Sequence, residues 1–425
     1  MIVFLHILVL SILFYRTSFL KIKGVPGWYL PCLLLLKVAG GFFIANYYMS
    51  TYQGGDMQGY MADTVAFYNL FLENPMLFFK MMLGMENEST QLFINNLTIW
   101  PDNGYGFLFN DARTVVRFHA LLSIFSGTNE WVHLIWSNVL SIMGMGALLQ
   151  FIFSSRGNEP EIPRTAFLVF FLPNVFIWSS AILKEPLLLF AMGMTLRYFQ
   201  LWNYKRKPVY LISLLFFTGC FVLIKSFWLL VFLPGFFIWM LKREMKKPLL
   251  TISMSYFLTL VFVLVGGTFF SWLDVPALLF GQQLNMWRFA VFMHAGSLVH
   301  PVSFAPTITS FLLHIPDAFS FALFQPWPWQ LAKWYHFPLF LENIIFPLLF
   351  FLALYFAWRK REMPSAEVVL AAIAGIIILV VCGFTTPVIG SLIRFRMPGL
   401  LLLILAFYSW HYFSSKSNIS KKEGN

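Results

Sequence analysis

Charge is scarce in this chain: Asp, Glu, Lys and Arg make up 11% of its 425 residues, where a soluble globular domain carries roughly 25%. A water-soluble molecule so poor in charge could not cover its own surface, which excludes the soluble classes. Cysteine is equally thin. Cys32, Cys220 and Cys382 all fall within long apolar runs and show neither zinc-type spacing nor a disulfide framework. The first apolar run, Met1 to Tyr15, lacks a basic leader and a small-residue cleavage site, so it is expected to be a retained helix and not a signal peptide. Internal repeats, low-complexity tracts and a separate soluble domain are missing as well.

What is present is apolar and aromatic. Hydrophobic residues make up 59% of the chain, Phe alone occurs 51 times, and the mean hydropathy is +0.74. A membrane-spanning helix needs about 20 mostly apolar residues. The hydropathy places such helices at about 2–15, 27–47, 131–153, 165–181, 186–201, 209–224, 226–241, 249–270, 338–357, 368–385 and 398–413. The expected fold is therefore all-α: a polytopic transmembrane bundle of about eleven helices forming one domain over 1–413. A polar, disordered tail follows over 414–425. Two long segments, 48–130 and 271–337, are too apolar for flexible linkers and contain amphipathic stretches such as Val115 to Phe125 and Thr307 to Phe324.

The net charge of +11 matters through its distribution. With the N-terminus outside, 19 of the 29 Lys and Arg residues fall in cytoplasmic connections or the tail, nine fall on the outer side, and Lys37 lies within a span. Short cytoplasmic loops are enriched in Lys and Arg, so this arrangement is the expected one, with the C-terminus in the cytoplasm and both long segments outside. Nucleic acid is not an expected partner; the lipid bilayer is.

Topology accounts for the cytoplasmic cations but not for the outer charges, and an ionisable group in or beside a span is a candidate functional residue. Four clusters stand out. In Gly54-Gly55-Asp56, with Tyr60 and Asp63, the glycines permit a tight turn that brings a carboxylate to a ligand; alternatively Asp56 caps a helix from Met57 to Leu72. Asp111, Arg113 and Arg117 form the second cluster. The arginines, spaced i, i+4, share a helix face and suit a phosphate or carboxylate, or else they snorkel with Asp111 as a cap. Lys184 and Glu185 lie in a very apolar hairpin ahead of Pro186, and Lys225 sits at the next outer hairpin. Arg394 and Arg396 enter the last helix from outside, against the positive-inside tendency, which implies an anionic partner. Together the clusters suit a phosphate- or pyrophosphate-linked lipid, with cations on the phosphates and a carboxylate to take a proton from an attacking hydroxyl or to hold a divalent metal. Trp287, Trp327, Trp329, Trp334 and Tyr335 could stack on sugar rings or form the aromatic belt of the interface.

The order Gly54-Gly55-Asp56, Arg117, Leu172-Pro173 through Trp178-Ser179-Ser180 to Leu183-Lys184-Glu185, Phe324-Gln325-Pro326-Trp327 and Arg394-Phe395-Arg396-Met397-Pro398 resembles a bacterial family of multi-spanning proteins associated with surface-polysaccharide synthesis. That family is similar to GT-C glycosyltransferases and to polysaccharide polymerases of the O-antigen type. The resemblance implies a site in the cytoplasmic membrane, a polyprenyl-linked sugar donor, a glycan acceptor, and Asp56 as the catalytic acid of the first outer loop. It also implies that Arg394 and Arg396 contact the donor phosphate. The paired acids common in GT-C enzymes are absent, since Gly55-Asp56-Met57 holds a single one, so no metal cofactor is expected. The remaining substrate-binding candidates are Arg113, Arg117, Lys184, Glu185 and Lys225. A flippase of a lipid-linked saccharide and a non-catalytic envelope-assembly protein are the alternatives.

Overall fold

The computed structural model describes residues 2–17, 19–20, 22, 25–52, 55–85, 88–100, 111–154, 159–242, 244–327, 329, 336–360 and 363–422. Among them every regular element is helical, and the one β-contact is an isolated bridge between Leu298 and Val388. The chain divides into two compact units. One is built from residues 1–151, 159–170 and 176–229, the other from 152–158, 171–175 and 230–425.

The first unit holds α1 (Ile2–Arg16), α2 (Tyr29–Tyr52), α3 (Asp56–Glu73), α4 (Pro75–Met82), α5 (Glu88–Ile94), α6 (Asp111–Ser126) and most of α7 (Glu130–Ile152). Asn74 starts α4: its Oδ1 accepts from the Leu77 N–H at 3.0 Å, and Pro75 at the first position lacks the N–H that would go unpaired. After a short α8 (Pro173–Trp178), α9 (Lys184–Lys205) runs until Arg206 takes a left-handed conformation, φ 51°, and its N–H closes on Trp202 O. Helices α7 and α9 touch backbone to backbone at Gly144 and Gly193, where a Cβ on either would overlap the other's main chain. In a bilayer, where apolar side chains gain little by leaving lipid for one another, such small-residue contact is a principal source of helix association.

Next comes α10 (Pro208–Leu241), followed in the second unit by α11 (Pro248–Gly267), α12 (Val275–Phe292), α13 (Ile308–Leu313), α14 (Ile315–Phe324), α15 (His336–Lys360), α16 (Ala366–Thr385) and α17 (Ile389–Lys422). Helix α16 is the hub, packing against α11, α12, α14 and α17. Gly383 lies so close to the Ala318 carbonyl of α14 that no side chain fits between them. Beside it Phe304, Phe311, Ala318, Val380 and Phe384 form an apolar cluster.

Among the described residues six helices are long and apolar enough to cross a membrane: Tyr29–Ser50, Glu130–Ile152, Pro208–Leu241, Pro248–Gly267, Ala366–Thr385 and Ile389–Phe413. Their outward faces are apolar too. Helix α11 exposes Leu250, Met254, Phe257, Leu258, Phe262 and Val265, a surface that water would not tolerate and lipid would.

Two expectations need revision, and a third is sharpened. Residues 165–181 are not one helix: a 3-10 turn (Arg164–Phe171) and the six-residue α8 are separated at Leu172. Pro173 lacks an N–H and disfavours helix at the residue before it, so the apolar run is broken despite its hydropathy. Residues 209–224 and 226–241 are two helices that meet at Lys225, which leaves helical geometry (φ −154°, ψ 73°), with no longer loop between them. Helix α17 continues to Lys422, through most of the stretch expected to be a disordered tail. The long segments 48–130 and 271–337 are largely helical where described, with non-helical stretches at 95–100 and 293–307. Val115 to Phe125 lies inside α6, and Thr307 to Phe324 forms α13 and α14.

Candidate functional site

The non-helical stretch between α8 and α9, residues 179–183, carries several buried polar contacts. Gly40 and Gly41 of α2 let the 176–180 backbone approach closely, since a Cβ on Gly41 would overlap the Ser180 carbonyl. One turn earlier, Lys37 is completely buried. Its Nζ donates to Ser179 Oγ (2.7 Å) and Ser180 Oγ (3.1 Å) and lies 5.5 Å from the Phe176 ring centroid. From α7, Asn138 Nδ2 donates to Ser180 O at 2.9 Å. An ammonium inside a span is thus held by hydroxyls and an aromatic face. Hydropathy showed that Lys37 lies deep, but its hydroxyl partners are 142 and 143 residues away and could not be read from the sequence.

Lys184 opens α9. Its Nζ donates to Asp111 Oδ2 at 2.7 Å, and Lys225 Nζ lies 3.4 Å from the same oxygen. Glu185, buried behind them, attracts Lys225 electrostatically. Burial alone would raise the Asp111 pKa; the two ammonium groups outweigh it and hold the carboxyl well below the usual carboxylate range. The kink at Lys225 therefore places a cation on a carboxylate of α6, which the hairpin assignment had not linked to it. Asp111 is a positioning acid shared by two lysines, not a helix cap, since the helix already includes it.

Two turns of α6 carry Arg113 and Arg117, both buried. Their guanidiniums lie 5.1 and 4.8 Å from the Trp100 ring centroid, and Arg113 Nε donates to Trp100 O at 2.9 Å. Asp63 builds the platform beneath them: its carboxylate accepts the backbone N–H groups of Thr98 (2.6 Å), Ile99 and Trp100 (both 2.9 Å). That anchoring role explains a buried acid that sequence reasoning had grouped with Asp56. Arg113, Arg117, Lys184 and Lys225 gather in this unit with Asp111, Glu185 and Asp63. Guanidinium and ammonium groups are the side chains that bind phosphate.

No family model, curated protein or solved structure matches the chain.

The other candidates have other settings. Asp56 is exposed at the first position of α3, with Gly55 as the N-cap, so it does not cap the helix itself. Its helix packs on α6. Gly54, Trp334 and Tyr335 fall outside the described residues. In the second unit Arg394 is half-buried and Arg396 completely buried. Arg396 Nη1 donates to the carbonyls of Ala322 (2.6 Å), Leu323 (3.1 Å) and Gln325 (2.6 Å), and Nη2 to Asn343 Oδ1 at 2.7 Å. These include the terminal carbonyls of α14, which helical geometry leaves unpaired and negative. Within the protein, the partners of Arg396 are the carbonyls of a helix C-terminus and the Asn343 side chain, with Glu342 attracting it electrostatically. Trp287 stacks on His300 at 5.6 Å, while Trp327 and Trp329 stack on each other at 5.2 Å. Among the described residues no group of three His, Cys, Asp or Glu side chains gathers as a metal site.

A pair of histidines escaped notice. His119 Nδ1 and His133 Nδ1 are 3.0 Å apart, and His133 Nε2 donates to Gly127 O at 3.1 Å. Burial, and then its neighbour His133, push the His119 imidazole well below its ordinary pKa. With Nε2 of His133 protonated, its Nδ1 accepts and His119 donates. This arrangement fixes α6 on α7.

Proposed function

We propose that the chain is a membrane glycosyltransferase or polysaccharide polymerase. Its donor would be a polyprenyl-phosphate- or pyrophosphate-linked sugar at the outer leaflet of the bacterial cytoplasmic membrane, in cell-surface polysaccharide synthesis. The observation that carries this reading is the convergence of cations on Asp111. Lysines from α9 and α10 meet on an acid of α6, and the two arginines of α6 follow within two turns. Such a cluster can hold a diphosphate and stabilise it as negative charge develops on departure. Asp111 sets the two ammonium groups in place. Asp56, exposed at the start of the neighbouring α3, is the general base that takes the acceptor hydroxyl's proton.

Purified full chain in lipid nanodiscs, supplied with polyprenyl-pyrophosphate oligosaccharide, tests this. Repeated chain growth marks a polymerase and single-sugar addition a transferase. Asp56→Asn is expected to lower kcat by a factor of about 100 or more. Lys184→Met and Lys225→Met should raise KM as well. Full activity of Asp56→Asn would remove the base assignment.

One observation favours a second reading, a flippase for the same lipid. Lys37 is fully buried in a candidate span beside the broken 164–183 segment, and interrupted helices with buried charge are where transporters bind their cargo. Translocation of intact lipid-linked sugar without bond formation would establish it.

A further inference from the structure

The second unit contains a set of polar atoms that the protein itself does not use. Glu342 is 1% exposed; its Oε2 accepts from the Asn174 backbone N–H at 2.8 Å, while Oε1 has no partner among the described residues. Asn174 is completely buried, and both Oδ1 and Nδ2 of its side chain are unpaired. Among the described residues Gln325, 5% exposed, leaves Oε1 unpaired, and Arg396, whose Nη1 holds the end of α14 and whose Nη2 donates to Asn343, leaves Nε unpaired. These side chains form one connected group. Asn174 is bonded to Glu342, Arg396 is bonded to Gln325 O and Asn343, and Arg396 and Glu342 attract one another. Buried polar atoms are almost always paired, so five orphans in one place call for an occupant.

The chemistry narrows what it is. Glu342 opposes an anion and Arg396 opposes a cation, so the pair leaves the site without a net preference for charge. Three of the orphans accept (Glu342 Oε1, Asn174 Oδ1, Gln325 Oε1) and two donate (Asn174 Nδ2, Arg396 Nε). A group that both donates and accepts at adjacent points satisfies such a set, and neighbouring hydroxyls do so. Next to Gln325 an aromatic series leads outward: Phe324 stacks on Trp327 at 5.6 Å and 23°, Trp327 on Trp329 at 5.2 Å and 3°, and Trp329 is 76% exposed. A flat, hydroxyl-edged ring has a face for that indole and an edge for the buried amides and carboxylate.

We propose that Asn174, Gln325, Glu342 and Arg396 Nε form a binding site for an uncharged, polyhydroxylated ring, a neutral sugar unit, approached over Trp329. The site is in the second unit, uses none of the lysines of the Asp111 cluster, and binds sugar whether or not chemistry follows. It is tested with the full chain in lipid nanodiscs on a printed array of neutral, phosphate-free oligosaccharides. The array covers hexoses, deoxyhexoses and N-acetylhexosamines, and its best binder is then titrated by calorimetry. Asn174→Leu removes two orphaned atoms of similar volume and breaks no bond within the protein, so thermal stability is expected to hold. Affinity should fall roughly tenfold or more, as it should in Trp329→Ala on the surface. Absence of any array ligand overturns the proposal. So does binding that both variants leave unchanged, and so does a loss of stability in Asn174→Leu without a loss of binding, which would mark the occupant as structural water. The transferase reading is tested separately, because phosphate-free glycans cannot serve as its donor.

Discussion

Arg396 shows how a single residue can be conspicuous in sequence and yet carry a role that sequence hides. Two arginines at the entrance of the last span stood out because hydropathy and topology do not explain them. Arg396 holds three carbonyls at the end of α14 and the Asn343 side chain, all more than 50 residues away. Lysine cannot reproduce that fork, since it offers one compact ammonium where the guanidinium reaches four oxygens at once. Arg396→Lys is therefore expected to destabilise the second unit, and Arg396→Ala by about 3 kcal/mol or more because buried carbonyls lose their partner. Denaturant unfolding in micelles measures this, and both variants should show it whether or not substrate is present. A variant as stable as the parent but unable to bind donor would return Arg396 to the phosphate. Asp111 was likewise visible beside Arg113, but its two lysines come from helices 73 and 114 residues further on, so the cluster itself was not legible. What sequence does expose is the anomaly, a charge in an apolar setting; the partner that resolves it depends on tertiary packing.

At the scale of elements, most spans were legible because a run of about 20 apolar residues is visible without any fold. Breaks inside such runs were not. The hydropathy of 165–181 does not distinguish a spanning helix from a 3-10 turn and a six-residue helix divided at Leu172-Pro173. Nor does it show that polar contacts at Ser179 and Ser180 make the non-helical backbone tolerable there. Close helix contacts are similarly silent in one dimension: Gly144 and Gly193 are ordinary glycines until α7 and α9 are seen to touch there. Because a Cβ at Gly193 would overlap the Gly144 main chain, Gly193→Ala should force the helices apart and cost roughly 1–3 kcal/mol, with Gly193→Val costing more. Gly219, which has nothing within 4 Å of an added Cβ, is the internal control. Gly219→Ala should leave the unfolding midpoint unchanged or raise it by the helix propensity of alanine. Equal effects at the two positions would mean that α7 and α9 do not rely on this contact.

For the whole molecule the open quantity is parity. An even number of crossings leaves both termini on one side of the membrane, and an odd number separates them. The six helices that satisfy length and hydropathy are even, whereas the charge distribution calls for termini on opposite sides. Helix α10 bears directly on this. Its 34 residues would extend about 51 Å as one straight helix, against a hydrocarbon core of about 30 Å. Divided at Lys225, it has two arms of about 25 Å. The segments at its ends are both basic: Lys205, Arg206 and Lys207 before it, and Lys242, Arg243, Lys246 and Lys247 after it. One crossing would put one of these groups outside; two crossings meeting at Lys225 would keep both in the cytoplasm, as the positive-inside tendency requires. Single cysteines at Lys207 and Lys246, in a background with Cys32, Cys220 and Cys382 replaced by serine, are therefore expected to resist a membrane-impermeant maleimide in intact cells and to react once the cells are opened. A reporter active only outside the membrane should be silent when fused after Asn425. If Lys246 reacts in intact cells while Lys207 does not, α10 crosses once, and everything after it changes sides. The Asp111 cluster would keep its internal geometry, but its assignment to the outer leaflet, and with it the polyprenyl-linked donor, would lose the charge distribution as support.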